Sequence, residues 1–252
     1  MRQIQFQMAC CADEREVHDN VLATLKRGCE GLTEYLNAPN EEVSIAGAGP
    51  SVADTYRTMR GRVMAVNSAV NFLIDRSRPP TLAMLWDASP LVAEFAVPHP
   101  QVAYLVNARC HPYVFERLQG QKVVVWFADG DFGVKRILQE RGINEPLIKG
   151  GSAGVTRAMF LAFAMGYRKI HLHGADSSAR GGATHIQGSV AKENEMRLWL
   201  DKEGAGPSFT TTPELAIQAR EFGVIKPMFR RLGAKVEVHG EGLLPHINRM
   251  AA

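Results

Sequence analysis

From residue 43 onward, short apolar runs alternate with segments that have the apolar spacing of helices. Seven runs predict strands, and several are apolar at consecutive positions, as in strands covered on both faces of a sheet. The runs are Val43–Ala46, Val63–Val66, Leu82–Trp86, Val102–Val106, Val123–Phe127, Ile170–Leu172 and Val236–Val238. The segments between them predict helices near 52–60, 68–77, 112–119, 134–141, 153–166 and 213–232. Because such alternation favours right-handed crossovers, the sequence predicts an α/β, Rossmann-like fold: a mostly parallel, doubly wound sheet of about six or seven strands flanked by helices.

The chain of 252 residues is long enough for one large α/β domain. Residues 12–36 have apolar positions at helical spacing, and Asn37–Asn40 ends that pattern. We therefore predict an N-terminal helical region over 1–40 that packs on a nucleotide-binding domain over 41–252. Residues 177–211 are rich in small and polar side chains, and so long an irregular connection predicts a lid or loop insertion over the carboxyl ends of the strands.

Charge and cysteine content limit the partners and the compartment. Basic residues exceed acidic ones by three, which is too few to predict a nucleic-acid partner but is compatible with an anionic small molecule. The four cysteines form no CxxC pair, which predicts reduced thiols. No apolar stretch approaches the roughly 20 residues of a membrane span, and the N-terminus has no signal-peptide core. We expect a cytoplasmic protein, and a homo-oligomer is compatible with the sequence.

The strongest local signal is a glycine-rich turn directly after the first long strand. Gly47 and Gly49 permit close backbone approach, and Ser51 with Asp54 is a candidate cap for the next helix. Exposed amides at that helix start would suit a phosphate, so Gly47, Gly49 and Ser51 are candidate nucleotide-binding residues. The turn lacks the third glycine of a dinucleotide fingerprint and the lysine of a Walker loop. A plain tight turn is the alternative.

Other candidates lie at a second glycine-rich turn and at strand ends. Gly151 and Ser152 precede a helix and can meet a phosphate, ribose or base, or can simply cap that helix. The polar strand-end candidates are Asn67, Asp87 and Asp176. His185 lies in the polar segment, where a histidine can act as a general base near neutral pH. We interpret His171 and His173 as buried, hydrogen-bonded strand residues, and we assign no metal ligand.

Several of these motifs together resemble the 6-hydroxymethylpterin diphosphokinase MptE-like family, to which a domain of flagellin-modifying glycosyltransferases is related. The resemblance spans about residues 41–245 and rests on an ordered set of motifs. They are Gly47–Ser51, Val66–Ser68, Trp86–Pro90, Gly150–Ser152, His173–Asp176 and a carboxyl-terminal segment, Thr212–Pro245, that is similar to bacterial and phage members. The arrangement is also similar to bacterial sialyltransferases that use CMP-sugars.

The resemblance implies a nucleotide-dependent transferase with a nucleotide or nucleotide-sugar as its ligand. By the likeness to sialyltransferases, Gly47, Gly49, Ser51 and Asn67 would contact the phosphate and sugar, Gly151 and Ser152 the ribose and base. His185 would be the acceptor-side base, with Asp176 as a second candidate catalytic residue. MptE-like diphosphokinases carry a denser cluster of aspartates for Mg²⁺, of which this sequence keeps Asp87. We therefore predict glycosyl transfer from a CMP-sugar, with no firmly implied cofactor; the alternatives are a diphosphokinase that uses ATP and Mg²⁺, and a non-catalytic nucleotide-binding protein.

Overall fold

The computed structural model describes residues 12–36, 41–130, 133–186, 195–200 and 206–250. Its main feature is a nine-stranded sheet with helices on both faces. The sheet contains β1 (Glu30–Gly31), β2 (Glu42–Ala46), β3 (Arg62–Val66), β4 (Leu82–Leu85), β5 (Ala103–Asn107), β6 (Lys122–Ala128), β7 (Leu147–Ile148), β8 (Lys169–His173) and β11 (Lys235–Val238). A separate hairpin pairs β9 (Met196–Trp199) with β10 (Ser208–Thr211) in antiparallel fashion.

The helices connect these strands. They are α1 (Glu14–Leu25), α2 (Val52–Thr55), α3 (Ala69–Asp75), α4 (Pro112–Arg117), α5 (Val134–Glu140), α6 (Gly154–Ala164), α7 (Pro213–Arg231) and α8 (Leu243–Met250). Short 3-10 segments lie at Leu32–Tyr35, Tyr56–Thr58 and Pro90–Phe95. The predicted start of α7 is confirmed, because the Thr212 hydroxyl accepts a hydrogen bond from the Leu215 amide at 3.4 Å and Pro213 occupies the first turn.

The sheet has the order β1-β6-β5-β4-β3-β2-β8-β11, with β7 beside β6, and all of its pairings are parallel. From β2 the chain steps outward through β3, β4, β5 and β6, and then returns to place β8 on the other side of β2. The connections that leave β2 and β8 therefore run in opposite directions, which makes the carboxyl ends of these two strands the topological switch point.

The predicted fold class is confirmed, and each of the seven predicted strands is present. The sequence did not reveal β1 and β7, because two residues show no periodicity, nor the β9–β10 hairpin within the polar segment. Successive side chains alternate between two cores: Met64 and Met84 pack on the face covered by α6 and α7, whereas Ala65 and Ala83 pack on the face covered by α3, α4 and α5. This alternation accounts for the apolar runs seen in the sequence.

The residues before position 40 are joined to the sheet. The Asn20 side chain of α1 donates to the Arg109 carbonyl at 3.0 Å, and the Thr24 hydroxyl donates to the Ala108 carbonyl at 3.0 Å. Beyond α1, Glu30 and Gly31 extend the sheet beside β6. The predicted boundary at residue 40 stays a prediction; the chain before it adds a strand as well as a helix, which the helical interpretation of 1–40 did not include.

The polar segment 177–211 is partly regular. Within its described parts, Thr211 donates from its hydroxyl to the Ser177 carbonyl at 2.8 Å, and the Ala179 amide donates to the Thr210 carbonyl at 2.7 Å. The Ile186 amide donates to the Ala48 carbonyl at 2.7 Å, which holds this segment against the turn after β2. Residues 187–194 and 201–205, which the predicted lid includes, lie outside the described residues.

Candidate functional site

A cavity of about 350 Å³ lies at the switch point between β2 and β8. Its walls are formed by the turns after β2, β3 and β8, the first residues of α6, the start of α7, Phe95, and Thr184 with His185 from the polar segment. Open α/β sheets bind ligands at this position, beyond the carboxyl ends of strands whose connections diverge. The cavity is the candidate site of this protein.

The turn after β2 needs glycine because it packs against the backbone of the turn after β8. The Gly47 amide donates to the His173 carbonyl and the Gly49 amide donates to the Gly174 carbonyl, each at 2.8 Å. A Cβ at Gly47 would lie 2.5 Å from the Gly174 oxygen, and one at Gly49 would lie 2.6 Å from it. Both glycines line the cavity, but their amides are already engaged by β8 and its turn. These two amides therefore have hydrogen-bond partners within the protein, and contact of Gly47 and Gly49 with a nucleotide stays a prediction.

Asp176, which follows β8, adds two hydrogen bonds between the turn after β8 and the turn after β2. Its Oδ2 accepts from the Ser51 amide at 2.7 Å, and its Oδ1 accepts from the Ser51 hydroxyl. Burial raises the pKa of Asp176 to about 6, although both hydrogen bonds from Ser51 act in the opposite direction. The predicted capping box is wrong, since Ser51 bonds to Asp176 and Asp54 pairs with Arg180. Ser51 is fully buried beneath the cavity, whereas Asp176 lines it.

The two remaining polar strand ends lie in different places. Asn67 lines the cavity in a left-handed backbone conformation, with φ of 46°. Its side chain accepts from the Trp86 amide at 3.0 Å and donates to the Trp86 carbonyl at 3.4 Å, so it ties the ends of β3 and β4 together. Asp87 does not line the cavity, and its carboxylate accepts from the Ser89 amide at 2.9 Å within a tight turn.

Gly151 and Ser152 hold the start of α6 and do not line the cavity. The Ser152 hydroxyl donates to Glu221 of α7 at 2.7 Å, and its amide donates to the same carboxylate at 3.1 Å. Gly151 has φ of 80°, and a Cβ there would lie 2.4 Å from the Arg157 nitrogen. The cavity wall next to them is formed by Ala153, Gly154 and Val155.

The amino terminus of α6 therefore faces the cavity. The first amides of a helix have no partner within the helix, and they carry the positive end of its dipole. Gly154 and Val155 contribute such amides, while the Ala153 amide donates to the Thr156 hydroxyl at 3.1 Å. This helix start therefore presents to the cavity the kind of amides that bind anions at helix amino termini.

His185 lies at the cavity mouth, exposed to solvent, yet enough protein surrounds the ring that desolvation lowers its pKa. A neutral imidazole at physiological pH is the form that accepts a proton. Its Nδ1 lies 3.1 Å from the Thr184 hydroxyl oxygen, which contributes to ring orientation. The structure thus brings His185 and Asp176 to one cavity.

Sequence reasoning missed the contribution of α7. Gln218 is 5% exposed, lines the cavity and accepts from the Ser177 hydroxyl at 3.2 Å. The sequence does contain a sign of this role, because Gln218 lies among the apolar positions Leu215, Ala219 and Phe222. A polar side chain on the buried face of a helix needs a hydrogen-bond partner.

No protein-family model and no curated protein matches this sequence. The fold is similar to that of a solved structure, the MAf glycosyltransferase from Magnetospirillum magneticum AMB-1, with a TM-score of 0.67 and 15% sequence identity. The likeness covers 94% of this chain and 39% of that chain, so this chain spans well under half of that protein's length. It is the fold that the two share. The relation to glycosyltransferases and membership of the MptE-like family stay predictions.

Within the described ranges, no helix combines the length and the apolar character that crossing a membrane requires. The cytoplasmic location and the oligomeric state stay predictions.

Alanine substitutions at two glycines, one in the turn after β2 and one in α7, are expected to change the free energy of unfolding in opposite directions. Gly49→Ala places a methyl group against Gly174 and Asp176 and is expected to destabilise the protein by about 1–3 kcal/mol. Gly223→Ala, within α7 and with no atom near the added carbon, is expected to stabilise it by about 0.5–1 kcal/mol. Urea unfolding measures both free energies. Equal stability of Gly49→Ala and the wild type would contradict the close approach.

The raised pKa of Asp176 predicts that the difference in unfolding free energy between the wild type and Asp176→Asn depends on pH. Because burial raises the pKa of Asp176 above that of the unfolded chain, the folded state holds the proton more tightly, and the group is most favourable to folding in acid. As the pH rises from about 3 to about 7, the wild type is expected to lose about 3 kcal/mol relative to Asp176→Asn, with little further change above that range. Urea unfolding of both proteins across this range measures the difference. A pH-independent difference would contradict the buried carboxyl.

Proposed function

We propose that this protein transfers a glycosyl group from a nucleotide-sugar, of the CMP-sugar type, to an acceptor. The observation that carries the proposal is the start of α6 at the wall of the switch-point cavity. A volume of about 350 Å³ is at the small end of the range for ligand pockets and suits the nucleotide part of such a donor. The likeness of fold to a glycosyltransferase supports the same reaction class.

The donor phosphate is proposed to bind the amides of Gly154 and Val155. Gly154 has no side chain to keep an anion away from the backbone, and one helix start suits the single phosphate of a CMP-sugar. Glu221 is hydrogen-bonded to Ser152 and Thr156 beside the same helix start, which fixes its position but adds a negative charge nearby. A ligand with one phosphate meets less repulsion there than one with two or three.

Polar side chains around the cavity are proposed to bind the ribose and base. Ser68, Asn67, Ser177 and Gln218 present hydroxyl and amide groups on three of its walls. Such groups form hydrogen bonds without a metal ion, and they orient a ligand in a pocket that is otherwise largely apolar. In this proposal Gly47, Gly49 and Ser51 shape the pocket floor, and Gly151 and Ser152 position α6.

The proposed transfer breaks the bond between the sugar carbon and the phosphate oxygen of CMP and forms a bond from that carbon to an acceptor oxygen. CMP leaves with the bonding electron pair, and the acceptor proton passes to a base. His185 is the proposed base, because it is neutral at physiological pH and lies at the mouth where an acceptor enters. Asp176 is the second candidate, since its raised pKa brings proton exchange close to neutral pH.

The diphosphokinase alternative gains less support from the same residues. Transfer of diphosphate from ATP develops negative charge that Mg²⁺ normally neutralises, and Mg²⁺ is held by carboxylates. Among the described residues that line the cavity, Asp176 is the one carboxylate, and both of its oxygens accept from Ser51. Asp87 lies in a turn outside the cavity wall.

A thermal-shift screen with CMP, CDP, UDP, GDP, ADP and ATP, each with and without Mg²⁺, tests the proposal. CMP is expected to raise the melting temperature equally with and without Mg²⁺, because a ligand that binds only the folded state stabilises it. Gly154→Asp adds a negative charge at the proposed phosphate-binding helix start, with its Cβ 2.9 Å from Val66 Cγ1, and should weaken CMP binding at least tenfold. Gly154→Ala is the control for added volume without added charge. Gly223→Asp adds the same charge away from the switch-point cavity and should bind CMP like the wild type.

Three outcomes would contradict parts of this account. A shift with ATP and Mg²⁺ alone would favour the diphosphokinase. CMP binding that survives Gly154→Asp would remove the assignment of the phosphate to α6. CMP binding with no release of CMP from CMP-sugars, in the presence of candidate acceptors, would favour a non-catalytic nucleotide-binding protein.

A further inference from the structure

A second group of titratable side chains lies on β8 and β11, away from the switch-point cavity. His171, Glu237 and His239 each offer one atom, and these three atoms lie within 4.8 Å of one another. His171 Nδ1 is 2.9 Å from His239 Nε2 and 3.4 Å from Glu237 Oε2. None of the three lines the switch-point cavity, so the group is independent of the proposed transferase site.

These distances fit the coordination shell of a small divalent ion. A tetrahedral ion with ligands at about 2.0–2.1 Å separates neighbouring donor atoms by about 3.3–3.4 Å. The separation of His171 and Glu237 already has this value, and that of the two histidines needs to widen by a few tenths of an ångström. The donor atoms of Glu237 and His239 lie within 4.8 Å of each other, and the exposed carboxylate can turn toward the ring to close the shell. Two imidazoles and one carboxylate are the donor set of open Zn²⁺ sites, in which the fourth position is left for water or a ligand.

The surroundings orient these donors as metal sites usually do. The other ring nitrogen of His171, Nε2, lies 2.7 Å from Glu42 Oε1, which forms a carboxylate–histidine pair behind the donor atom. Lys235 binds Glu237 Oε1 at 2.5 Å and so leaves Oε2 directed toward His171. Strand pairing sets His171 directly opposite Glu237, so the backbone itself brings these two side chains together.

His173 supports the ring of His239. The two rings are stacked, with centroids 4.5 Å apart and planes 7° from parallel. Neither ring nitrogen of His173 has a hydrogen-bond partner among the described residues, so the sequence interpretation of His173 as hydrogen-bonded is wrong, while that of His171 is confirmed. A buried, stacked ring restricts how far His239 can turn away from His171.

The group is accessible from solvent along the edge of the sheet. Glu237 and His239 line a cavity of about 800 Å³ that is bounded by α7, α8 and β11. The Glu237 side chain is 37% exposed, whereas that of His171 is 6% exposed. An ion held here therefore has one face toward protein and the other toward an open cavity. The positive charges of Arg60, which acts on His239, and of Lys235, which pairs with Glu237, oppose a cation, and the two carboxylates of Glu42 and Glu237 offset them.

We propose that His171, Glu237 and His239 bind one divalent transition-metal ion, with Zn²⁺ as the ion that best suits this donor set. His171 and His239 donate through Nδ1 and Nε2, and Glu237 donates through a carboxylate oxygen. Glu42 is a positioning residue that acts through His171. The fourth coordination position opens to the cavity beside α7 and α8.

Isothermal titration of the chelator-treated full chain with ZnCl₂ tests the site, and Co²⁺ serves as a spectroscopic probe. One saturable site per chain is expected, together with the visible absorption of four-coordinate Co²⁺. His239→Ala and Glu237→Gln should each weaken Zn²⁺ binding at least tenfold. Glu42→Gln should weaken it about 10- to 100-fold, because a partner behind a histidine ligand has effects of this size.

Two matched variants control for general effects of histidine and charge removal. His18→Ala removes a partly exposed histidine on α1. Glu41→Gln removes the charge of the residue next to Glu42; Glu41 pairs with Arg62 at 3.2 Å. Both should bind Zn²⁺ like the wild type and should fold with the same circular dichroism spectrum. The absence of saturable binding, or binding by His239→Ala equal to that of the wild type, would overturn the proposal.

Discussion

The turns after β2 and β8 approach each other at backbone contact distance, and the buried carboxylate of Asp176 completes that contact. Gly47 and Gly49 donate to carbonyls of His173 and Gly174, and Asp176 accepts twice from Ser51. Side chains on either glycine would collide with the opposite turn. Because β2 and β8 feed connections that run in opposite directions, this contact forms the floor of the cavity at the switch point. The turn after β2 thus shapes the cavity, and its Gly47 and Gly49 amides are engaged by β8 and the turn after it.

In the proposed function the donor phosphate binds at the start of α6, and that helix is held by a contact distant in sequence. Glu221 of α7 accepts from Ser152 and Thr156, and Phe229 of α7 packs against Phe160 and Phe163 with ring centroids 5.1 Å apart. The start of α6 is consequently fixed by α7. Strand β8 links the two sites of the molecule, since His171 belongs to the proposed metal site and Asp176 follows the same strand into the cavity.

The sequence predicted the fold well because the sheet is buried on both faces, and burial leaves a strong apolar signal at every long strand. The ends of these runs also marked the candidates after β2, β3 and β8 that line the cavity, whereas Asp87, after β4, does not line it. The sequence did not predict the partners of the site residues. Ser51 and Asp176 are 125 positions apart, and Ser152 and Glu221 are 69 positions apart, so no local pattern relates them. Likewise, His171 and His173 look alike in sequence, but His171 is hydrogen-bonded to Glu42 of β2, whereas His173 stacks on His239, the residue after β11.

Hydrogen exchange followed by mass spectrometry, with and without saturating CMP, tests the central claim most directly. The account predicts slower exchange in peptides that contain Gly154 and Val155, and in those that contain Ser177, Thr184 and His185, because these residues line the switch-point cavity. Peptides of β11 are expected to exchange at an unchanged rate. Protection confined to β11 and α7, or no protection at any peptide, would contradict a nucleotide site at the start of α6.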